Sequence, residues 1–250
     1  MPNYRPLAFG GGFLLLFAIY HFPEFFDSFW LMALFKIGFL VVAFVLARAQ
    51  GRRGLGGYGL GLTSNWLGQL TVGLVLGLAF FVLSFYLTVL LGYESITANA
   101  TIGAFAKQLP MLLLMTAVPS VAEDILTRGY LYAHLQHIKP VYWVLLSALV
   151  YVLNHIWRLD DGAAVLSYLA LLGLVLAYAV IITKSLWLAF GIHWGANIAY
   201  ESTKTLFSTA STSSDASTWI LAGCWGVVLL LLILWRSYRK PRALRYSTSV

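Results

Sequence analysis

Glu123 and Asp124 sit side by side in an otherwise apolar stretch, Pro110–His134, and Arg128 follows four residues after Asp124. A carboxylate or guanidinium at bilayer depth costs roughly 2.5–3.5 kcal/mol per residue on insertion scales. Such groups need partners. On a helix, residues four apart share a face, so Asp124 and Arg128 pair and neutralise each other. Glu123 points about 100° away and is left to face something else. Two further apolar segments offer His155, in Tyr151-Val-Leu-Asn-His155, and His193, in His193-Trp-Gly-Ala-Asn197. A carboxylate and an imidazole together polarise a water. A second histidine and an asparagine suit a developing oxyanion. The types and spacing point to a hydrolase-like set carried on three helices inside a membrane. Each member also has a plainer reading. Asp124–Arg128 alone reads first as a buried structural pair, an intramembrane histidine as a hydrogen-bonded core residue, and Tyr151, on the face of His155, as packing. Glu201 and Lys204 read as a pair at a span end, although Glu201 continues the His193/Asn197 stripe and borders the site on that reading. His21, His134 and His137 lie near span ends and read as solvated. Pro119, four residues before Glu123, predicts a kink there.

The elements that must position these residues follow from composition. The chain has 250 residues, of which 60% are hydrophobic and 10% charged, against roughly 25% charged in soluble domains. This is a polytopic, all-α membrane protein of one domain, 1–250, with a motif-bearing core at about 109–207. A spanning helix needs about 20 mostly apolar residues. The runs Leu7–Phe22, Phe29–Ala47, Trp66–Leu91, Leu109–His134, Val141–Trp157, Ala163–Thr183, Leu186–Phe207 and Trp219–Trp235 predict eight spans around an intramembrane cavity. The first lacks a small-residue cleavage site and is expected to stay in the mature protein. Gly56, Gly57, Gly59 and Gly61 read as a flexible connector, because they lack the setting and the Lys-Ser/Thr pair of a phosphate loop. Cys224, the one cysteine, excludes an intramolecular disulfide.

The net charge of +7 is unevenly placed. With eight spans, Arg5, Arg48, Arg52, Arg53, Lys139, Lys184 and the basic tail at 236–250 fall on one side. Lys107, Arg158, Glu24, Asp27, Glu94, Asp160, Asp161 and Asp215 fall on the other. The positive-inside rule then puts both termini in the cytoplasm, here of a bacterial cytoplasmic membrane, with the tail on anionic headgroups. Nucleic-acid binding is excluded by the same pattern. Helical rise sets Glu123 about 16 Å, His193 about 10 Å and His155 about 21 Å from the cytoplasmic ends of their spans. To act together they must meet at one level, in one water-filled cavity expected to open toward the cytoplasm.

Glu123-Asp-Ile-Leu-Thr-Arg128-Gly129, Tyr151-Val-Leu-Asn-His155 and His193-Trp-Gly-Ala-Asn197 resemble, in order and spacing, the three motifs of the CPBP family. That family comprises CAAX prenyl endopeptidases and the bacteriocin-processing or immunity (Abi) membrane proteins. Its motifs are Glu-Glu-x-x-x-Arg, Phe-x-x-x-His and His-x-x-x-Asn/Asp. The likeness covers about Ala117 to Tyr200, with a looser one in the Gly-Leu-Gly-Leu run before the third span. Two positions depart from it: Asp124 replaces the second Glu, and Tyr151 replaces Phe. The resemblance implies a glutamate-dependent intramembrane protease without a metal. Glu123 would be the base, His155 would help activate the water, His193 and Asn197 would form the oxyanion hole, and Asp124 and Arg128 would orient the site.

Three alternatives stay open. Glu123, His155 and His193 could instead hold zinc, although the sequence has no His-Glu-x-x-His pair. A non-catalytic scaffold or immunity protein would keep the fold without the chemistry. A proton-coupled transporter would also bury acids and histidines, but no internal repeat is evident. The substrate class is a membrane-associated peptide or protein.

Overall fold

A computed structural model describes residues 4–239. Lys240, Arg242 and Arg245 of the expected headgroup-binding tail lie outside the described residues. Among the described residues, nine α-helices make eight helical bodies: α1 (Tyr4–His21), α2 (Phe29–Ala49), α3 (Trp66–Leu90), α4 (Ile102–Asp124) running through a π-helical stretch (Ile125–Gly129) into α5 (Tyr130–His134), α6 (Pro140–Asn154), α7 (Ala163–Thr183), α8 (Trp187–Leu206) and α9 (Ser214–Arg239). They correspond one for one to the eight runs read from the sequence. Six are long and apolar enough to cross a membrane. The other two are α6, which is short, and α8, which carries the polar stripe of the third motif. An addition to the expected architecture is a two-stranded antiparallel ribbon, β1 (Glu94–Ala98) with β2 (Phe207–Ser211), in the register Glu94 opposite Ser211 and Ala98 opposite Phe207. Its Ser- and Thr-rich strands had the composition of connectors, and pairing across a long sequence gap is invisible locally.

One end of the bundle gathers the connectors at 50–65, 135–139 and 184–186: Leu186 N–H donates to Gly59 O at 2.9 Å, and Arg52 Nη2 to Ala133 O at 2.5 Å. The opposite end gathers residues 22–28, the ribbon and residues 155–162, tied by Trp157 Nε1 donating to Glu24 Oε2 at 3.1 Å. The glycine-rich connector is packed rather than loosely hung. It folds into a 3-10 turn, Gly54–Tyr58, that buries Tyr58, and Trp187 Nε1 donates to Gly61 O at 3.0 Å.

The closest helix pair is α3 with α8. Gly73 and Gly77 face Gly191 and Gly195 across it. A Cβ at Gly73 would lie 2.5 Å from Leu188 O, one at Gly195 2.5 Å from Leu74 O, and one at Gly77 would collide with Ile192 O. Small residues four apart let two backbones touch, which is how helices associate where no hydrophobic effect separates protein from lipid. Leu14, Leu34, Val41, Leu83 and Leu230 project outward as a lipid-facing surface.

Candidate active site

α6 sets the level of the site. Its Leu145, Leu149 and Leu153 face outward, while Ser147, Tyr151 and Asn154 are buried. At 15 residues it spans about 22 Å, short of the ~30 Å hydrocarbon core. The helix stops at Asn154. His155 follows as its C-terminal cap with φ −91° and ψ 54°, outside the helix rather than late within a span as the sequence suggested.

α4 is helical on both sides of Pro119. A change of helix type lies just past the two acids, in the π-helical stretch, where Tyr130 N–H reaches back to Ile125 O. Such widened turns loosen the regular ladder and collect at functional positions. Thr127 O accepts from Ser147 Oγ of α6 at 2.9 Å, and Thr127 Oγ1 donates to Glu123 O at 2.8 Å.

Asp124 and Arg128 are both wholly buried and joined through Asp124 Oδ1 and Arg128 Nη1. The guanidinium face lies over the Tyr151 ring, 4.6 Å from its centroid. Asp124 Oδ1 also faces His193 Nδ1 at 3.2 Å. The shorter acid at this position thus still reaches both an arginine and a histidine.

Glu123 takes a different set of neighbours. Its Oε1 accepts from Asn154 Nδ2 at 3.0 Å and lies 3.7 Å from His155 Nε2. Its Oε2 lies 3.5 Å from His193 Nε2. Glu123, His155 and His193 therefore meet at one level, as required. Tyr151 sits edge-on to both imidazoles, with ring centroids 4.7 Å from His155 and 6.1 Å from His193. Asn197 does not join the cluster. It lies one turn along α8 from His193, and its Nδ2 donates to Ser120 Oγ at 2.9 Å.

The hydrogen-bond roles constrain the chemistry. His155 Nδ1 faces the Tyr151 carbonyl at 2.8 Å, so that nitrogen carries the hydrogen. His193 Nδ1 faces the Asp124 carboxylate, with the same consequence. In the neutral imidazoles both Nε2 atoms are then acceptors. Two acceptor nitrogens and a carboxylate converge with a single donor, Asn154, among them. A water, which has two hydrogens to give, is the complement to that arrangement.

Residues 105–199 match the family model described as type II CAAX prenyl endopeptidase, Rce1-like. The match runs from α4 into α8 and holds all three motifs, in agreement with the resemblance read from them. It supports an intramembrane CAAX-type protease. No curated protein matches the chain. Helices α1 to α3 and α9 lie outside the matched segment.

Two openings reach Asn197. A groove of about 700 Å³ between α4 and α8 is lined by Lys107, Met111, Met115, Pro119, Asn197 and Glu201. A hollow of about 330 Å³ on the other flank of α8 is lined by Arg158, Tyr168, Asn197 and Trp225 among others. Glu201 thus borders a groove that leads to Asn197, while pairing with Lys204 at 3.6 Å. A third hollow, of about 510 Å³ under the ribbon, does not reach the motif side chains. Lys107, Glu201 and Arg158 all lie at the ribbon end of the bundle, away from Arg48, Arg52, Arg53, Lys139 and Lys184. The charge rule and the expected cytoplasmic opening therefore select opposite ends of this molecule.

Sequence reasoning missed the roles of Asn154, Glu24 and Lys36 and misplaced His21 and His134. Asn154, the donor to Glu123, stands immediately before His155 in the second motif, and that adjacency was the available signal. His21 was expected to be solvated but is buried, with Nε2 at 3.0 Å from Asn154 Oδ1. Glu24, read only as a charge between spans, and Lys36, given no role, complete a second polar cluster behind it. His134 is half-buried with Nδ1 at 2.8 Å from Tyr130 O, whereas His137 is exposed as expected.

Proposed function

We propose that the chain is an intramembrane endopeptidase that hydrolyses a peptide bond with a water activated by Glu123. The observation that carries this reading is the convergence of His155 Nε2 and His193 Nε2 on the two oxygens of one buried carboxylate, at 3.7 and 3.5 Å. Those separations exceed a direct hydrogen bond, so the Glu123 carboxylate is free to take a proton from a water that His155 Nε2 also accepts from. The water oxygen attacks the scissile carbonyl carbon as its proton passes to Glu123. Asn197 Nδ2, one turn toward the groove, donates to the oxyanion in exchange for Ser120. His193 can donate there only once Nε2 holds a proton, and Glu123 Oε2 is the neighbour able to supply it. Collapse of the tetrahedral intermediate breaks the C–N bond, and the same proton leaves with the amine. Asp124 and Arg128 hold His193 in the required tautomer.

These steps use side chains and water alone. Among the described residues no group of three His, Cys, Asp or Glu side chains is arranged as a metal site. Metal analysis of the purified protein is the direct check, and stoichiometric zinc lost with activity under a chelator would overturn the assignment. Comparative proteomics of membranes carrying wild type or Glu123→Gln tests the reading itself. Loss of a general base costs about 10²–10⁴-fold in rate, so products present with wild type should vanish with the variant. A Glu123→Gln protein that retains every cleavage event would move the chain to the non-catalytic scaffold class.

A further inference from the structure

The α1–α2 hairpin, outside the family match, carries a second buried ionic cluster that touches the site through one side chain. His21 and Lys36 are each 4% exposed. Glu24 Oε2 lies 2.6 Å from His21 Nδ1, and Glu24 Oε1 accepts from Lys36 Nζ at 3.1 Å. Lys36 Nζ also donates to Tyr20 O at 2.8 Å. Trp157 Nε1, from the turn after α6, donates to Glu24 Oε2. On its other side His21 Nε2 meets Asn154 Oδ1, and Asn154 Nδ2 reaches Glu123 Oε1. Three elements far apart in sequence thus form one line: Lys36, Glu24, His21, Asn154, Glu123.

We propose that His21, oriented by Glu24 and Lys36, is a positioning residue for Glu123, acting through the amide of Asn154. A carboxamide has a donor end and an acceptor end. If Asn154 turned over, it would present Oδ1 to the Glu123 carboxylate, acceptor against acceptor. His21 Nε2 must donate, because the only atom it meets on Asn154 is the carbonyl oxygen. That donor fixes the amide with its NH₂ toward Glu123. Glu24 fixes His21 in turn: its carboxylate accepts from Nδ1–H while Nε2–H donates to Asn154, so both ring nitrogens carry hydrogen and His21 sits there as an imidazolium paired with Glu24. Buried chains of hydrogen bonds reinforce one another in a low-dielectric interior. The hairpin is therefore part of the active-site support, and its cost in buried charge is offset by the pairing of Glu24 with two basic groups.

The inference rests on the protease reading for its activity arm, but not for its stability arm. Glutamine at position 21 keeps a donor near the place of Nε2, and asparagine keeps one near the place of Nδ1. His21→Gln should retain activity within a few-fold of wild type. His21→Asn, which keeps the Glu24 side and loses the Asn154 side, should lower kcat about 10–100-fold, the range for supporting partners of a reactive group, with KM little changed. A hairpin staple with no role at Glu123 predicts the reverse order, and that order, or equal effects, overturns the proposal. Thermal unfolding in detergent supplies a readout that needs no substrate. The shifts from His21→Asn and Glu123→Gln should be non-additive in the wild-type background and additive in Asn154→Leu. Additive shifts in both backgrounds sink the relay even if proteolysis is established. Non-additive shifts with no cleavage by wild type sustain the relay and remove the protease reading.

Discussion

The two sides of the site are held by opposite means. On one side, His193 is fixed by contact between backbones: Gly191 and Gly195 seat α8 against Gly73 and Gly77 of α3 with no side chain between. On the other, Glu123 is held by polar groups in series, from Lys36 through Glu24, His21 and Asn154. The steric seam sets where the imidazole is. The polar chain sets which way the carboxylate faces. A hydrolytic site needs both, since a water must be held at hydrogen-bond distance from groups that arrive on separate helices.

The seam is the less forgiving side. Gly77→Leu places a branched side chain where even a Cβ collides with Ile192 O, and backbone cannot rotate away as a side chain can. No folded protein should be recovered in detergent, as read by size-exclusion chromatography. Gly223→Ala in α9, where an added Cβ meets nothing within 4 Å, should be recovered at wild-type yield. Recovery of monodisperse Gly77→Leu protein would break the claim that the α3–α8 contact sets the place of His193.

The ion pair behind His193, Asp124 with Arg128, should fail by charge instead of by clash. Asp124→Leu leaves Arg128 wholly buried without its counter-charge, a change worth about 3–5 kcal/mol. Chemical unfolding in detergent should show that loss. Removing both charges, as Asp124→Leu with Arg128→Met, should recover much of it, because an apolar pair of similar volume avoids the desolvation cost. A double variant as unstable as the single one would mean that Arg128 has a further anionic partner. Activity should stay lost in both, since His193 Nδ1 loses its acceptor.

The comparison also explains which parts could be read from the amino-acid order. The eight helical runs were legible because each is a local property of hydropathy, and the Glu123, His155 and His193 set was legible because charged groups in apolar runs stand out. The GxxxG pairs were visible as spacing, but nothing local says that Gly73 and Gly191 meet. His21, Glu24 and Lys36 escaped because they lie near the end of a span, where polar residues are ordinarily solvated. Their partners come from α6 and the turn after it: Asn154 meets His21 and Trp157 donates to Glu24, contacts between distant segments that no local pattern encodes. The stop at Asn154 has no strong local breaker, and the π-helical stretch holds only Gly129 as a weak one. The groove at the ribbon end depends on the packing of α4 against α8, which charge asymmetry does not encode.

Tyr151 lies where the two supports meet, and it gives the finest test. Its ring is edge-on to His155 and His193 and lies beneath the Arg128 guanidinium, so it touches the seam's histidine and the polar side's arginine at once. All three contacts are made by the ring rather than by the hydroxyl. Tyr151→Phe, the residue of the family motif, should therefore leave the unfolding temperature and kcat unchanged. Tyr151→Leu keeps the apolar volume but removes the π face from Arg128, at a cost of about 0.5–2 kcal/mol, and frees both imidazoles to tilt. Its unfolding temperature should fall modestly and kcat more than KM. If Phe were instead as damaging as Leu, the hydroxyl would belong to the reacting groups, and the division between a steric and a polar support would have to be redrawn around it.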